Sequence, residues 1–280
     1  TIIEGSKQDL STFTNYIDIT RDLKELYQWY HIFNYNYDKA ISLYPNGDHN
    51  AINSHIIALV SAGKNIIDFI ERFNDNAFDS KQKSDFKNNY LSKEYDNHFS
   101  YRFITHLRNF TQHGHIPVSF LDSNPCFDLT QIYETPHFKF NSTLKKEAMQ
   151  LIDDVRNKHG EILKLAYLPT IYSYGCSLYR IFIAFMNITS SIIDSRYKIF
   201  KQTVEKTPKM IIHKNHPEFK GLIFFIIEGE DQLHCINVND DPTKIHKKIK
   251  NDSITRYKKL QDELSDSKNN ELKKVMKKTI

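Results

Sequence analysis

The sequence predicts a mainly α protein, in which a bundle of long helices precedes a small β-hairpin and a basic helical tail. Only eight Gly and eight Pro residues occur among 280, and so few helix breakers favour long helices over a turn-rich β fold. Apolar residues recur at helical spacing over long stretches of the chain. With 40% hydrophobic residues, including 19 Phe and 16 Tyr, the chain can bury a sizeable core.

The chain up to residue 114 predicts three helices after a loose start over the first ten residues. Turn signals separate them, because Pro45-Asn46-Gly47 stops the first helix and Gly114 ends the third. The polar stretch from Asp75 to Asn97 predicts a short helix and a connection. The three predicted helices are Ile19–Tyr44, Ile52–Asn74 and Lys93–His113.

The rest of the chain predicts a loop, two more helices and a hairpin. Ile116 to Lys139 has no helical period and contains Pro125 and Pro136, which indicates a long loop with short extended pieces. Leu222–Ile227 and Leu233–Val238 predict the two strands of the hairpin. The two helices are Ser142–Asn157, which Ile162–Leu168 either continues or follows after a break at Gly160, and Thr170–Lys206.

These elements divide the chain into three predicted parts. Residues 18–207 form the helical bundle, residues 208–240 the β-like appendage and residues 241–280 the basic tail. The stretch from Lys244 to Ile280 holds 12 Lys and Arg residues against 5 Asp and Glu residues, a net charge of +7, while the whole chain carries +4. The tail therefore either neutralises nucleic-acid phosphates or is a solvated helix that keeps the protein soluble.

Several functional classes find no support in the sequence. The three cysteines lie far apart, and no metal cluster or Gly-rich phosphate loop is recognisable, so we expect no metal and no cofactor. No uninterrupted apolar stretch of about 18–20 residues suggests a membrane span. The N-terminal residues lack the pattern of a signal peptide. These observations predict a cytoplasmic protein with thiols in a reducing compartment.

Polar side chains crowd the end of the third predicted helix, in Leu107-Arg108-Asn109-Phe110-Thr111-Gln112-His113-Gly114-His115-Ile116-Pro117-Val118. Asn109 and His113 are four residues apart and share a face, whereas Arg108 lies about 140° around the helix from His113. Histidine moves protons near neutral pH, and arginine offers a planar fork of donors to a phosphate. RNA cleavage needs a base for the 2′-hydroxyl, an acid for the 5′-oxygen and charge stabilisation, and it requires no metal.

The string Arg108-Asn109-x-x-x-His113 resembles the signature of the HEPN-domain family, and the flanking Leu107 and Gly-x-Ile-Pro-Val resemble its neighbourhood in many bacterial members. The resemblance implies an up-and-down helical bundle and a homodimer in which two motif helices share a cleft. It also implies a metal-independent endoribonuclease that cleaves single-stranded RNA and serves as a toxin or antiviral-defence effector. An antitoxin or another defence-system component is then an expected partner.

Carried over by position, Arg108 would bind the scissile phosphate, His113 would act as general base or acid, and Asn109 would orient His113 or the phosphate. The second copy of His113 would supply the other proton-transfer role. The family often adds a polar or acidic side chain from an earlier helix, for which the candidates here are Asn65 and Asp68. Further candidate substrate-binding residues beside the motif are Arg102, His106 and His115.

Two other functions are consistent with the same residues. The first is a non-catalytic HEPN module for protein interaction or nucleotide binding, in which His113 would be a packed helix cap. The second is a structural all-α protein whose basic tail binds nucleic acid without cutting it. A buried His113 would favour the first alternative, whereas a catalytic site needs His113 open to solvent. Loss of RNA binding on removal of Lys244–Ile280, with no effect of replacing His113, would favour the second.

Overall fold

The computed structural model describes residues 2–5, 7–45, 47–121, 124–135, 146–147, 150, 164–206, 222–227, 233–237 and 240–265. Within these residues the protein is mainly helical, as the sequence predicts. The fourth predicted helix, Ser142–Asn157, lies almost wholly outside the described residues. The helices are α1 (Lys7–Ser42), α2 (His49–Ala77), α3 (Ser80–Phe86), α4 (Lys93–Asn97), α5 (Phe99–Gln112), α6 (Leu129–Glu134), α7 (Tyr167–Lys206) and α8 (Pro242–Ser265), with a π-helical segment, Lys87–Ser92, between α3 and α4.

The chain divides into two units. Unit 1 consists of residues 1–28 and 185–252, and unit 2 consists of residues 29–184 and 253–280. The unit boundaries therefore fall within α1, α7 and α8 along the sequence. The three-part division at residues 207 and 240 stays a prediction.

Unit 1 contains a three-stranded sheet of β1 (Ile2–Gly5), β5 (Leu222–Ile227) and β6 (Leu233–Asn237), in the order β1-β5-β6. The strands β5 and β6 pair antiparallel, as predicted for the hairpin, although the connection between them lies outside the described residues. The expectation of a loose N-terminus was wrong. β1 pairs parallel with β5, in a register that sets Ile2 opposite Phe224, and α1 begins at Lys7.

Aromatic packing forms the core of unit 1. The ring of Tyr16 stacks on that of Phe200 with 3.8 Å between centroids, and Phe13 completes this buried group. The Tyr16 hydroxyl donates a hydrogen bond of 2.6 Å to the backbone carbonyl of Asp240. Two long helical segments are thus joined to each other and to the start of α8 by large buried rings.

Unit 2 holds the larger buried core, and α2 packs there against α5. Bulky aromatic side chains dominate it because the helices carry them at core-facing positions. The Tyr30 ring, for example, stacks on Phe182 at 5.0 Å. The aromatic residues buried here include Phe33, Tyr37, Phe69, Phe103, Phe127, Tyr167, Tyr174 and Tyr179.

A second three-stranded sheet lies in unit 2, where the sequence suggested a long loop. β2 (Ser119–Leu121), β3 (Asn124–Asp128) and β4 (Lys164–Ala166) pair antiparallel in that order. The loop expected from Ile116 to Lys139 was therefore wrong in part, since it also contains α6. Residues 164–166 form strand β4 rather than part of a helix, because their partner is β3 rather than a neighbouring helical turn.

The apolar helix α7 is the one described helix that is long and apolar enough to cross a membrane. Its most apolar window has a mean hydropathy of 1.4, and 61% of that window is buried inside the protein. Core helices of globular proteins show the same length and composition.

Candidate active site

The helix α5 presents the predicted motif because one face of it is anchored in the core of unit 2. Phe103, Leu107 and Phe110 recur at intervals of three and four residues, and all three are buried. The Phe103 ring also meets Phe127 edge to face at 5.4 Å. With this face fixed, the remaining side chains of the last two turns have defined directions.

A Schellman motif ends α5 immediately after the predicted catalytic residues. The amide of Gly114 donates to the carbonyl of Thr111 at 3.0 Å, and the amide of His115 donates to that of Phe110 at 3.4 Å. Gly114 has φ of +83°, a conformation that residues with a Cβ rarely adopt. The His115 ring then stacks on Phe110 at 4.7 Å, which supplies the hydrophobic contact typical of this motif.

The three motif residues differ in exposure. Asn109 and His113 are exposed to solvent, while Arg108 is half-buried. His113 is the C-cap residue with φ of −86° and ψ of 13°, so its backbone remains close to helical. Since the helix does not distort before Gly114, Arg108 stays about 140° around the axis from His113. Within one chain, the two side chains therefore leave the helix in different directions.

Asn53 of α2 holds the segment that follows the motif. Its side-chain oxygen accepts a 2.9 Å hydrogen bond from the Val118 amide, and its side-chain nitrogen donates to the Val118 carbonyl at 3.2 Å. Both residues are buried, and the neighbouring ring of His49 stacks on Phe120 at 3.4 Å. Residues 118–120 are thus tied to the beginning of α2, which limits the motion of the motif's exit segment.

Two polar atoms beside the motif are buried without a hydrogen-bond partner in the described part of the chain. They are Nε of Arg108 and Nε2 of His115. Burying an unsatisfied polar group costs free energy.

Arg102 and His106, predicted as substrate-binding residues, both contact Tyr95. Arg102 is buried, and its guanidinium donates to the backbone carbonyls of Tyr95 and Asp96 and, at 2.7 Å, to the carboxylate of Glu147. The His106 ring lies 2.8 Å from the Tyr95 hydroxyl, and burial lowers the pKa of His106. These contacts cap the end of α4 and hold it against α5. A role in substrate binding for Arg102 or His106 stays a prediction.

The acidic candidate from the second helix is paired within its own helix. Asp68 is exposed and forms an ion pair with Lys64, one helical turn earlier on α2. Asn65 is half-buried on the same helix. Of the predicted residues, Arg102 and His106 are the two that contact a common residue, Tyr95, while Asp68 is paired with Lys64.

Sequence inspection missed the ion pair that fastens α4 to α7. Arg180 donates from Nε and Nη2 to the two carboxylate oxygens of Glu94, each at 2.6 Å, and also lies 3.0 Å from Nε2 of His98. The same ring nitrogen of His98 lies 3.4 Å from a carboxylate oxygen of Glu94, so it faces both a donor and an acceptor. Burial lowers the pKa of His98, the charge of Arg180 also lowers it, and the charge of Glu94 raises it. The pair joins residues 86 positions apart, and nothing in the local sequence signals it.

The described residues contain no group of three or more His, Cys, Asp or Glu side chains arranged to hold a metal ion. The described thiols with defined surroundings, Cys126 and Cys176, are both buried, and burial raises their pKa. Comparison of the chain with models of known protein families, with curated proteins and with solved structures finds no match.

Proposed function

We propose that the protein is a metal-independent endoribonuclease of the HEPN type, which cleaves single-stranded RNA at Arg108, Asn109 and His113. The observation that carries the proposal is the solvent exposure of Asn109 and His113 at a rigidly terminated helix end. A histidine that served as a packed cap would be buried, and His113 is not. The proposed biological role, as a toxin or antiviral-defence effector, follows from the family resemblance.

The chemistry assigns a separate task to each side chain. One His113 takes the proton from the 2′-hydroxyl, whose oxygen attacks phosphorus, and a second imidazole gives a proton to the departing 5′-oxygen. The guanidinium of Arg108 stabilises the charge that grows on the phosphate oxygens. The Asn109 amide, on the same face as His113, orients the imidazole or the phosphate.

A second copy of the chain completes this site in the proposal. Within one chain, Arg108 and His113 diverge by about 140°, so one chain offers one imidazole and an arginine aimed elsewhere. The exposed apolar side chains of Ile116 and Leu121, 59% and 50% accessible, follow the motif closely in sequence. Apolar surface of this kind supports a protein contact beside the motif.

The same apolar side chains also favour an alternative function. A non-catalytic HEPN module would use Ile116 and Leu121 to bind a protein partner, and His113 would then have no chemical task. Replacing both apolar residues with Ser would abolish partner binding in that case. Replacing His113 alone would leave partner binding unchanged.

Cleavage of a single-stranded RNA by purified protein in excess chelator tests the proposal. We expect His113→Ala and Arg108→Ala to lower the cleavage rate by about 10²–10⁴-fold, the range for losing a proton-transfer or charge-stabilising group. We expect Asn109→Ala to lower it by about tenfold or more, because a misoriented imidazole reacts slowly.

Three matched controls separate chemistry from folding. His31 is exposed on α1, Arg21 is exposed on the same helix, and Gln112 is exposed one turn from Asn109. Their alanine variants should cleave RNA as the native chain does. Equal cleavage by the native chain and the His113→Ala variant would refute the proposed site.

A further inference from the structure

A cavity of about 220 Å³ lies in unit 2 between α2, the π-helical segment with α4, α5 and the beginning of α7. Its walls are mostly apolar and aromatic, with contributions from Val60, Ile67, Leu91 and the tyrosines 95, 101 and 174. Drug-sized ligands usually occupy pockets of about 300–1,000 Å³. A ligand of one or two fused rings suits the smaller volume.

Two tyrosine hydroxyls contribute to this wall. They belong to Tyr101, which is 5% exposed, and to Tyr174, which is 2% exposed. Their rings stack on each other with centroids 5.9 Å apart. Burial raises the pKa of both phenols, so both hydroxyls remain protonated and able to donate. Buried tyrosine hydroxyls usually find a partner, and these two can bind one in the cavity.

The glycine at position 63 brings the Tyr174 hydroxyl to the cavity. A Cβ at this position would lie 2.0 Å from the Tyr174 hydroxyl oxygen, so any larger residue would displace it. Gly63 itself lines the cavity. The close approach of the phenol to α2 therefore depends on the absence of a side chain there.

The charged groups of the wall exclude an anionic ligand. Glu71 and Asp96 contribute two carboxylates, while the one ammonium group, that of Lys64, is paired with Asp68. A phosphate would be repelled by the two carboxylates. An uncharged ring with N–H donors would instead be attracted, because carboxylates accept hydrogen bonds strongly.

The direction of α5 relates the cavity to the motif. Thr105 lines the cavity, and Arg108 follows it by three residues, about 4.5 Å along the helix and about 60° around it. The face that borders the cavity therefore leads toward the half-buried Arg108. A ring in the cavity and a phosphate at Arg108 would be neighbouring parts of one ligand.

We propose that this cavity binds a single nucleobase with an exocyclic amino group, presented by single-stranded RNA whose phosphate lies at Arg108. The tyrosine rings stack on the base, the two hydroxyls donate to its ring nitrogens or carbonyl, and Glu71 or Asp96 accepts from its amino group. The assignment to an RNA substrate rests on the proposed function. Adenine, cytosine and guanine carry such an amino group, and uracil does not.

A ligand-observed NMR titration of the full chain with adenosine, cytidine, guanosine and uridine tests the inference. We expect at least one amino-bearing nucleoside to bind more tightly than uridine. The variant with both Tyr101→Phe and Tyr174→Phe should bind it about tenfold more weakly, the factor expected for lost hydrogen bonds. Its thermal unfolding temperature should stay close to that of the native chain, because phenylalanine keeps the buried ring at both positions.

Tyr37→Phe is the matched control, since the Tyr37 hydroxyl is buried, has no hydrogen-bond partner in the part of the chain that the structure describes, and does not line the cavity. It should bind the nucleoside as the native chain does. A second variant, Glu71→Ala, changes an exposed side chain and should reduce the preference over uridine. The inference is overturned if no nucleoside binds, or if the double phenylalanine variant binds as tightly as the native chain.

Binding and cleavage are measured separately, so the two proposals can fail separately. Nucleoside binding without RNA cleavage would support the proposal that the cavity binds a nucleobase and would refute the proposal that the protein is a ribonuclease. Cleavage that requires His113, without nucleoside binding and without effect of the phenylalanine variants, would uphold the ribonuclease and refute the cavity.

Discussion

The buried amide of Asn53 fixes the backbone that leaves the motif helix. It bonds to both the amide and the carbonyl of Val118, 65 residues along the chain. A polar residue among the apolar positions Ile52, Ile56 and Leu59 of the second predicted helix is an unusual choice for a core-facing stripe. That signal could have identified Asn53 from the sequence, although not its partner.

Replacing Asn53 with Ala should lower the free energy of unfolding by about 2–3 kcal/mol, because both polar groups of Val118 would remain buried without a partner. Urea denaturation measures the loss. Ser54→Ala, an exposed neighbour on α2, should change the free energy by less than about 0.5 kcal/mol. Equal effects of the two substitutions would show that the clamp does not contribute to stability.

His246 makes stability depend on pH. Burial and the nearby charge of Lys250 lower its pKa, and the charge of Asp194 partly offsets them. The resulting pKa is about 4, compared with the ordinary value of 6.5. Between these values the unfolded chain binds a proton that the folded chain does not, so the free energy of unfolding falls as pH falls. The expected loss between pH 7.5 and pH 5 is on the order of 1–2 kcal/mol.

Urea denaturation at the two pH values, for the native chain and His246→Gln, checks this dependence. The variant should lose a smaller amount of free energy between pH 7.5 and pH 5. The free energy of unfolding of the variant should still depend on pH to some extent, because the pKa values of His98 and His106 are also lowered. The same dependence in both proteins would contradict the assignment to His246.

At the scale of elements, local patterns predicted the long helices and the hairpin of β5 with β6, but not the pairings of β1 or of β2, β3 and β4. Apolar periodicity and the Gly114 stop predicted α5 and its end, because both depend on neighbouring residues. The break at His98 that separates α4 from α5 was missed, since it depends on Arg102 capping α4 and on the distant Arg180 pairing with Glu94. Likewise, β1 is a strand because it pairs with β5, more than 200 residues away.

The candidate site could be predicted only as a set of residues. The sequence placed Asn109 and His113 on one face, and the structure leaves both exposed. Arg102 lies on the same helix as the motif, yet its guanidinium is occupied by backbone carbonyls that no sequence pattern identifies. The cavity lined by Tyr101 and Tyr174 lies between several helices. Because it exists only once these helices pack together, the sequence did not predict it.

At the scale of the whole molecule, a site completed by a second chain should show a concentration dependence. The cleavage rate per chain should rise with protein concentration below the dimer dissociation constant and become constant above it. Light scattering at the same concentrations reports the fraction of dimer. A rate per chain that is constant while the dimer dissociates would mean that one chain suffices.

The most direct test of the central claim is the chemistry of the product ends. A defined RNA oligonucleotide is incubated with the native chain and with His113→Ala in excess chelator, and the products are identified by mass spectrometry. Attack of the 2′-oxygen with departure of the 5′-oxygen predicts a 2′,3′-cyclic phosphate on one fragment and a 5′-hydroxyl on the other, formed by the native chain alone. Fragments with 3′-hydroxyl and 5′-phosphate ends, or the same products from the His113→Ala variant, would contradict the proposed mechanism.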